Sequence, residues 1–327
     1  MKPTRARRVF RCMKLVAVLL AVLVGLAGVA RADCLDADPF DPKVLHDRLA
    51  SLAAPELDGR VPGTPGDAAA RAIIEERFTC AGLVPAGDLV GDHPGFAQAF
   101  TAQSGQPTAN LIGLVPGTDP DGDIVIVSAH HDHLGHGHLG ANDDASGVVG
   151  LLAIAQAVKA HAPMKRTIVF AAFGDEEDGM IGSTFFESHL PPAIPLAHVV
   201  EFVELDMIGS HKSADLVAAL GAFAGFPARA LLDKLVPGFK HVHVVAGGHS
   251  RGSDFAPFCT AGVPFTFFWT PDHRCYHETC DTIDRIDLPH LVDIAKLANA
   301  LVDALGDTEL DLAAARTRRG CGQRVVE

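Results

Sequence analysis

The chain has 327 residues and a formal net charge of −13, because 40 Asp and Glu residues outnumber 27 Lys and Arg residues. Nucleic acids and anionic membranes repel an acidic chain, so we expect neither as a partner. The length fits one large α/β domain or at most two.

The first 32 residues have the pattern of an export signal. Six basic residues within positions 2–14 precede an apolar run at 15–30 that is too short for a good membrane-spanning helix. Ala30-Arg31-Ala32 then matches an A-x-A cleavage signal. We therefore expect a signal peptide over residues 1–32, with export by the Sec or twin-arginine route to the periplasm or the extracellular space. A retained membrane anchor is the alternative.

Cleavage after residue 32 would leave 20 basic and 40 acidic residues, a net charge of −20. We expect such a chain to have no stable membrane association. It would also keep six cysteines, an even number that permits disulfides in an exported protein. Only Cys275 and Cys280 are close enough in sequence to suggest a pair, and their spacing also suits a metal site.

Beyond this segment, apolar strands alternate with amphipathic helices. Strands are predicted near 96–101, 110–115, 124–129, 167–173, 199–205, 216–220, 241–245 and 265–269, and helices near 67–80, 144–161, 183–189, 228–235 and 288–305. This alternation predicts a three-layer αβα fold, with a mixed, mostly parallel central sheet and helices on both faces. No linker is evident, so we expect a single domain over residues 33–310 and a polar tail over 311–327.

Acidic residues and imidazoles occur just after strands at five places. The residues concerned are His130 with Asp132, Asp143, Glu176 with Glu177, Asp206, and His277. One carboxylate at a strand end is usually a helix cap and one histidine is usually just hydrogen-bonded, but open α/β sheets place their sites at these ends. Carboxylates buried this densely would repel one another unless cations compensated. Oxygen and nitrogen ligands suit two Zn²⁺ ions, with Mn²⁺ or Co²⁺ as alternatives.

Six motifs in one order resemble those of the M28 family of zinc metallopeptidases, over roughly residues 45–305. They are 129–135 (AHHDHLG), 140–147 (GANDDASG), 173–183 (FGDEEDGMIGS), 205–209 (LDMIG), 253–258 (SDFAPF) and 276–282 (YHETCDT). The loop at 59–66 (GRVPGTPG) is also similar to the family's opening. Six collinear matches are far more specific than one short motif.

The resemblance implies a ligand set for two metal ions. Asp143 would bridge the ions, His130 and Asp206 would complete the shell of one, and Glu177 and His277 would complete the shell of the other. No cysteine is needed, which favours a disulfide between Cys275 and Cys280 over a thiolate metal site.

The resemblance also implies roles beside the metals. Glu176 would be the general base, and Asp132 would orient the imidazole of His130. Tyr276 would stabilise the oxyanion; packing beside His277 is the alternative. A cis peptide bond is implied after Asp143. The remaining imidazoles of this region are expected to lie in solvent or beside the ligands without binding metal: His131, His133, His136 and His138.

The implied activity is that of an aminopeptidase, whose substrates are the N-termini of peptides or proteins. Two metal ions would activate a water molecule, and Glu176 would take its proton and hand it to the leaving amine. One alternative is a glutaminyl cyclase, a transferase of similar fold with one zinc, which five intact ligand positions disfavour. Others are a carboxypeptidase or dipeptidase, which usually carries further domains, and a non-catalytic relative, which typically loses ligands or the base.

Overall fold

The computed structural model describes residues 34–210, 216–248 and 252–316. The predicted signal peptide over residues 1–32 and residues 317–327 of the predicted tail lie outside these ranges. From Asp38 onward the chain belongs to one compact unit. No helix in the three described ranges combines the length and apolarity that crossing a membrane requires.

A mixed sheet forms the middle layer. The strands are β1 (Val84–Pro85), β2 (Leu89–Val90), β3 (His93–Pro94), β4 (Ala97–Thr101), β5 (Pro107–Val115), β6 (Ile124–His130), β7 (Thr167–Phe173), β8 (Val199–Leu205), β9 (Leu216–Leu220), β10 (His243–Ala246) and β11 (Phe265–Trp269). The order is β1-β5-β7-β6-β8-β11-β9-β10, with β4 also paired to β5, and β2 pairs with β3 separately. The central strands β7, β6, β8 and β11 run parallel, whereas β5 and β9 are antiparallel to their central neighbours.

Helices cover both faces of this sheet, as predicted. They are α1 (Pro42–Leu52), α2 (Pro65–Ala81), α3 (Gly147–His161), α4 (Ile181–Ser188), α5 (Pro227–Leu235), α6 (Phe255–Thr260) and α7 (Leu288–Asp307).

Alternate residues of β6 point to opposite faces. Val125 and Val127 pack in the apolar cluster that includes α1, α2, α3, α5 and α7. Ile124 and Ile126 pack in the cluster that includes α4 and α6.

The sequence explains where these elements begin. The run Ile124-Val125-Ile126-Val127 is buried throughout, as expected of a central parallel strand covered on both faces. Helix α2 starts after Thr64, whose hydroxyl accepts the N–H of Asp67, and has proline at its first position. Helix α3 starts at Gly147 rather than 144, because Asp143 and Asp144 have non-helical backbone angles.

The parallel strands bring the predicted site residues to one edge of the sheet. His130 is the last residue of β6, Asp206 follows β8, and Glu176 follows β7 after two further residues. Because β7, β6 and β8 are neighbours and parallel, their carboxyl ends lie side by side.

Candidate metal centre

Two groups of metal-binding side chains meet at this edge and share one residue. The first consists of His130, Asp143 and Asp206, and the second of His133, Asp143 and Glu177. Within each group the ligand atoms all lie within 4.8 Å of one another. In the first group, Nε2 of His130 is 3.3 Å from Oδ1 of Asp143 and 3.6 Å from Oδ1 of Asp206.

His277 lies against the second group. Its Nε2 is 2.9 Å from Oε2 of Glu177 and 3.3 Å from Oδ2 of Asp143. The structure therefore brings all five predicted metal ligands together around Asp143. It also adds a residue that the sequence reasoning placed outside the ligands, because Nδ1 of His133 is 2.6 Å from Oε1 of Glu177.

The donor atoms suit zinc. They are imidazole nitrogens and carboxylate oxygens, a combination typical of catalytic zinc sites. Oδ2 of Asp143 and Oδ1 of Asp206 are buried, and neither has a hydrogen-bond partner among the described residues. Buried oxygens without partners are costly unless an ion or water satisfies them. Oδ1 of Asp206 faces the imidazole of His130, and Oδ2 of Asp143 faces that of His277, so one cation in each group would give both oxygens a partner.

The charges of the site also favour a cation. Burial raises the pKa of Asp206 above its usual value, and the neighbouring Asp143 carboxylate raises it further, while His130 lowers it. Contacts with the Asp143 and Glu177 carboxylates raise the pKa of His277 to about 10. The carboxylates at this edge of the sheet therefore favour binding of protons or metal ions.

Glu176 is a member of neither metal group. Burial raises the pKa of its carboxyl group well above the usual value, and the carboxylates of Asp254, Asp206 and Glu177 raise it further, against the opposing effect of His130. The backbone N–H groups of Glu176 and Glu177 both donate to the Asp132 carboxylate, at 3.1 and 3.3 Å. The Asp132 carboxylate lies 3.6 Å from Nδ1 of His130, so Asp132 contacts both strand ends.

Asp144 and Asp281 hold the backbone around the ligands. The Asp144 carboxylate accepts hydrogen bonds from the N–H groups of His130 (3.2 Å), Gly147 (2.8 Å) and Met207 (3.1 Å). The Asp281 carboxylate accepts the N–H groups of Asn142 and Asp143. The peptide bond between Asp143 and Asp144 is cis, as the resemblance implied. The sequence reasoning assigned no such backbone-holding role to Asp144 or Asp281.

Ser253 and Glu204 lie behind Asp206. The hydroxyl of Ser253 is 3.0 Å from Oδ2 of Asp206 and 2.6 Å from Oε1 of Glu204. The Glu204 carboxylate in turn accepts the N–H groups of Asp254 and Phe255, at the start of α6. This chain of contacts fixes one face of Asp206 and leaves its Oδ1 directed at His130.

The early loop at 59–66 contributes Arg60, which is fully buried. Its guanidinium donates hydrogen bonds to four backbone carbonyl oxygens, those of Leu52, His131, Leu139 and Gly140. Three of these carbonyls belong to the segment between His130 and Asp143. Arg60 thus fixes the path of the chain between the first two metal ligands.

The loop that carries His277 is closed by a disulfide. Cys275 and Cys280 are joined, which confirms the predicted pair. The ring of Tyr276 stacks on that of His277 with 3.8 Å between ring centroids, and about half of its surface is exposed. Burial raises the pKa of Tyr276 to about 12, and the nearby carboxylates act in the same direction.

The other predicted bystander imidazoles lie outside the two metal groups. His131 is buried, with Nε2 3.2 Å from Oδ1 of Asp67. His136 is exposed, and Nδ1 of His138 is 2.8 Å from the carbonyl oxygen of Gly135. Of the four, only His133 touches a predicted ligand within hydrogen-bond distance.

A cavity of about 430 Å³ opens beside Asp206. Its lining is partly apolar and includes Met207, Leu220, Phe267, Trp269, Asp272 and Tyr276. The cavity is large enough for an amino-acid side chain, and it reaches the metal groups through Asp206. Tyr276 stands between the cavity and His277.

Comparisons with known proteins agree with this arrangement. Residues 110–302, more than half of the chain, match the sequence profile of Peptidase family M28. Aminopeptidase YwaD of Bacillus subtilis is 33% identical over 218 residues, which cover 63% of this chain and 46% of that protein. Leupeptin-inactivating enzyme 1 of Streptomyces exfoliatus is 26% identical over 311 residues, covering 84% of this chain and 66% of that enzyme. The chain therefore spans less than two thirds of each of these relatives.

Solved structures share the fold. A zinc aminopeptidase from Bacillus subtilis superimposes with a TM-score of 0.68 at 17% identity, covering 88% of this chain and all of that one. A glutaminyl cyclase from an Acidobacteriales bacterium superimposes with a TM-score of 0.66 at 19% identity, covering 83% of this chain and 96% of that one. At these identities the likeness concerns the fold alone. The profile match and the collinear motifs together establish that this chain belongs to peptidase family M28.

Proposed function

We propose that the chain is a zinc-dependent aminopeptidase that hydrolyses the first peptide bond of its substrates at a two-metal site. The observation that carries this proposal is that two groups of ligands share Asp143, while the separate carboxyl group of Glu176 lies beside them. Relatives that are named aminopeptidases support the same activity.

Five residues would hold the two ions. His130 and Asp206 would bind one ion, Glu177 and His277 the other, and Asp143 both, as their contacts suggest. When bound, the ions supply Lewis-acid activation of water and of the scissile carbonyl group. Zinc is favoured by the donor set, and Mn²⁺ or Co²⁺ would bind the same atoms.

Glu176 would serve as general base. Its side chain is free of the contacts that hold Glu177, whose two oxygens face His133 and His277. This difference supports our assignment of Glu177 as the ligand and Glu176 as the base. A raised pKa suits a carboxylate that takes a proton from water and returns it to the leaving amine.

Tyr276 would donate its hydroxyl proton in a hydrogen bond to the oxyanion. Its position at the cavity, stacked on His277, supports this role. We expect Tyr276→Phe to lower kcat by about 10²-fold or more with little change in metal content. An unchanged kcat would instead assign the ring to packing beside His277.

The substrate would be the N-terminus of a peptide or protein. The cavity beside Asp206 is the space available for the first side chain of such a substrate. We also propose export of the chain, supported by the basic and apolar pattern of residues 1–32. Determination of the N-terminal residue of the mature protein tests this, with Asp33 as the expected result.

A panel of aminoacyl-anilides tests the activity. Wild type is expected to release the anilide, to lose activity with a chelator, and to recover it with Zn²⁺. Glu176→Gln should lower kcat by about 10²- to 10⁴-fold, because a positioned base contributes that much. The matched control is Glu75→Gln, which changes an exposed glutamate of α2.

Three results would contradict the proposal. They are a wild type inactive on the whole panel, an undiminished Glu176→Gln, and formation of pyroglutamate from an N-terminal Gln with one zinc per chain. The last would indicate a glutaminyl cyclase.

A further inference from the structure

His133 belongs to the second metal group, yet the proposed function gives it no role. It lies in the loop after β6 and is 1% exposed. Its Nδ1 is 2.6 Å from Oε1 of Glu177, while Oε2 of the same carboxylate is 2.9 Å from Nε2 of His277. The two oxygens of Glu177 therefore face different imidazoles.

The ring of His133 is held in place by packing. At Gly140 a Cβ atom would come within 2.6 Å of Cγ of His133, so only a glycine leaves room for the ring there. The His277 ring stands at 69° to it, with 5.9 Å between ring centroids. A ring held this tightly can fix the orientation of a carboxylate that contacts it.

Hydrogen bonding decides which nitrogen of His133 carries the proton. Nε2 is buried without a hydrogen-bond partner among the described residues. If Nδ1 bound a metal ion, the proton would sit on Nε2 as a buried donor without an acceptor. If Nδ1 carries the proton, it donates to Oε1 of Glu177, and only a lone pair is left unmatched. Orphaned buried donors are rarer than under-satisfied acceptors, so the second arrangement is favoured.

Coordination number favours the same arrangement. Asp143, Glu177 and His277 already supply three protein ligands to the second ion of the proposed function. Catalytic zinc sites keep a position open for water or substrate. A fourth protein ligand from His133 would occupy it.

We propose that His133 is a positioning residue, which donates Nδ1–H to Oε1 of Glu177 and thereby presents Oε2 to the second metal ion. Carboxylates that bind metals are commonly held by such hydrogen bonds, and loss of the partner typically costs about 10- to 100-fold in metal affinity. The inference rests on the proposed two-metal function. It assigns to this chain a dependence on the residue that directly follows Asp132.

Calorimetric titration of metal-stripped protein with Zn²⁺ tests this role. Wild type is expected to bind two ions. His133→Ala should bind the first ion as wild type does and the second about 10- to 100-fold more weakly. His133→Asn should bind the second ion within a few-fold of wild type, because its amide nitrogen can donate from near the position of Nδ1. His189→Ala, at an exposed histidine directly after α4, is the matched control.

The outcomes separate the role of His133 from the function on which it rests. A wild type that takes up fewer than two ions overturns the two-metal function, and the role of His133 with it. Two ions in wild type with unchanged binding in His133→Ala overturn the role alone. Loss of the second ion in both variants would make His133 a metal ligand and also overturn the role. If His133→Ala does not fold, weak second-ion binding by a folded His133→Asn overturns it.

Discussion

Oδ2 of Asp281 accepts a hydrogen bond of 3.0 Å from the backbone N–H of Asp143, although 138 residues separate the two in sequence. Oδ1 of the same carboxylate accepts the N–H of Asn142 at 2.8 Å. Asp281, in the loop that follows His277, therefore holds the backbone of the segment that carries the shared metal ligand Asp143. Displacement of either segment would move the ligands of both ions.

We expect Asp281→Asn to weaken zinc binding by about 10- to 100-fold. An amide presents only one acceptor atom, and its NH₂ group would face a backbone N–H. Calorimetric titration of the metal-stripped protein measures the change. Asp284→Asn, at an exposed aspartate of the same region, is the control. Equal zinc affinities in Asp281→Asn and wild type would show that zinc binding does not need these two hydrogen bonds.

Arg60→Lys should lower the free energy of unfolding by roughly 2–5 kcal/mol, because one ammonium group cannot reach four carbonyl oxygens that the guanidinium spans. Urea unfolding of the metal-free protein measures the difference. Arg229→Lys, where the half-buried side chain pairs with the exposed Asp233 on α5, should change stability by about 0.5 kcal/mol or less. A lysine variant as stable as wild type would mean that water replaces the lost donors.

The disulfide should affect both the stability of the fold and the binding of the second metal ion. Cys275 and Cys280 enclose a short loop, and the entropy of closing such a loop corresponds to about 2 kcal/mol. We expect the double variant Cys275→Ala, Cys280→Ala to lose about that much stability and to bind the second ion more weakly, because His277 lies inside the loop. Thr279→Ala, within the same loop, is the control. Unaltered zinc binding in the double variant would contradict the prediction.

The raised pKa of Glu201 predicts that the free energy of unfolding depends on pH. It is buried on β8, and burial raises the pKa of its carboxyl group to about 8, against the opposing hydrogen bond from Thr266. Between pH 4.5, its usual pKa, and pH 8 the folded chain holds a proton that the unfolded chain releases. This contribution to stability is therefore complete below about pH 4.5 and is lost as the pH rises, by at most about 1.4 kcal/mol per unit.

Glu201→Gln removes this titration. The variant should gain stability relative to wild type as the pH is raised from 5 to 8, as measured by urea unfolding at each pH. Glu75→Gln, at an exposed position, should show a constant difference. Parallel curves for Glu201→Gln and wild type would indicate that Glu201 is already ionised in the folded chain.

The strands and helices were predictable because hydrophobic periodicity is a local property. The strands at 167–173, 199–205, 216–220 and 265–269 have the predicted limits. Helix α3 begins three residues later than predicted, because the turn at Asp143 and Asp144 follows the needs of the site rather than helix propensity.

The supporting residues were not predictable from local patterns. Sequence position placed acids and imidazoles at strand ends, and the resemblance to family M28 selected from them the five ligands that the structure brings together. The role of Arg60 depends on carbonyls 71 to 80 residues away, and that of Asp281 depends on N–H groups 138 and 139 residues away. Such contacts arise only when distant segments pack, and neither residue type nor spacing reveals them.

The two sets of proposed ligands share Asp143 but are completed at different points along the chain. This determines the order in which they can form. A chain synthesised from its N-terminus has the ligands of the first group once residue 206 has emerged, and β8 can then pair directly with β6. His277 emerges only after 71 more residues, beyond β11. We therefore expect an emerging chain to present all the proposed ligands of the first ion well before His277, the last proposed ligand of the second.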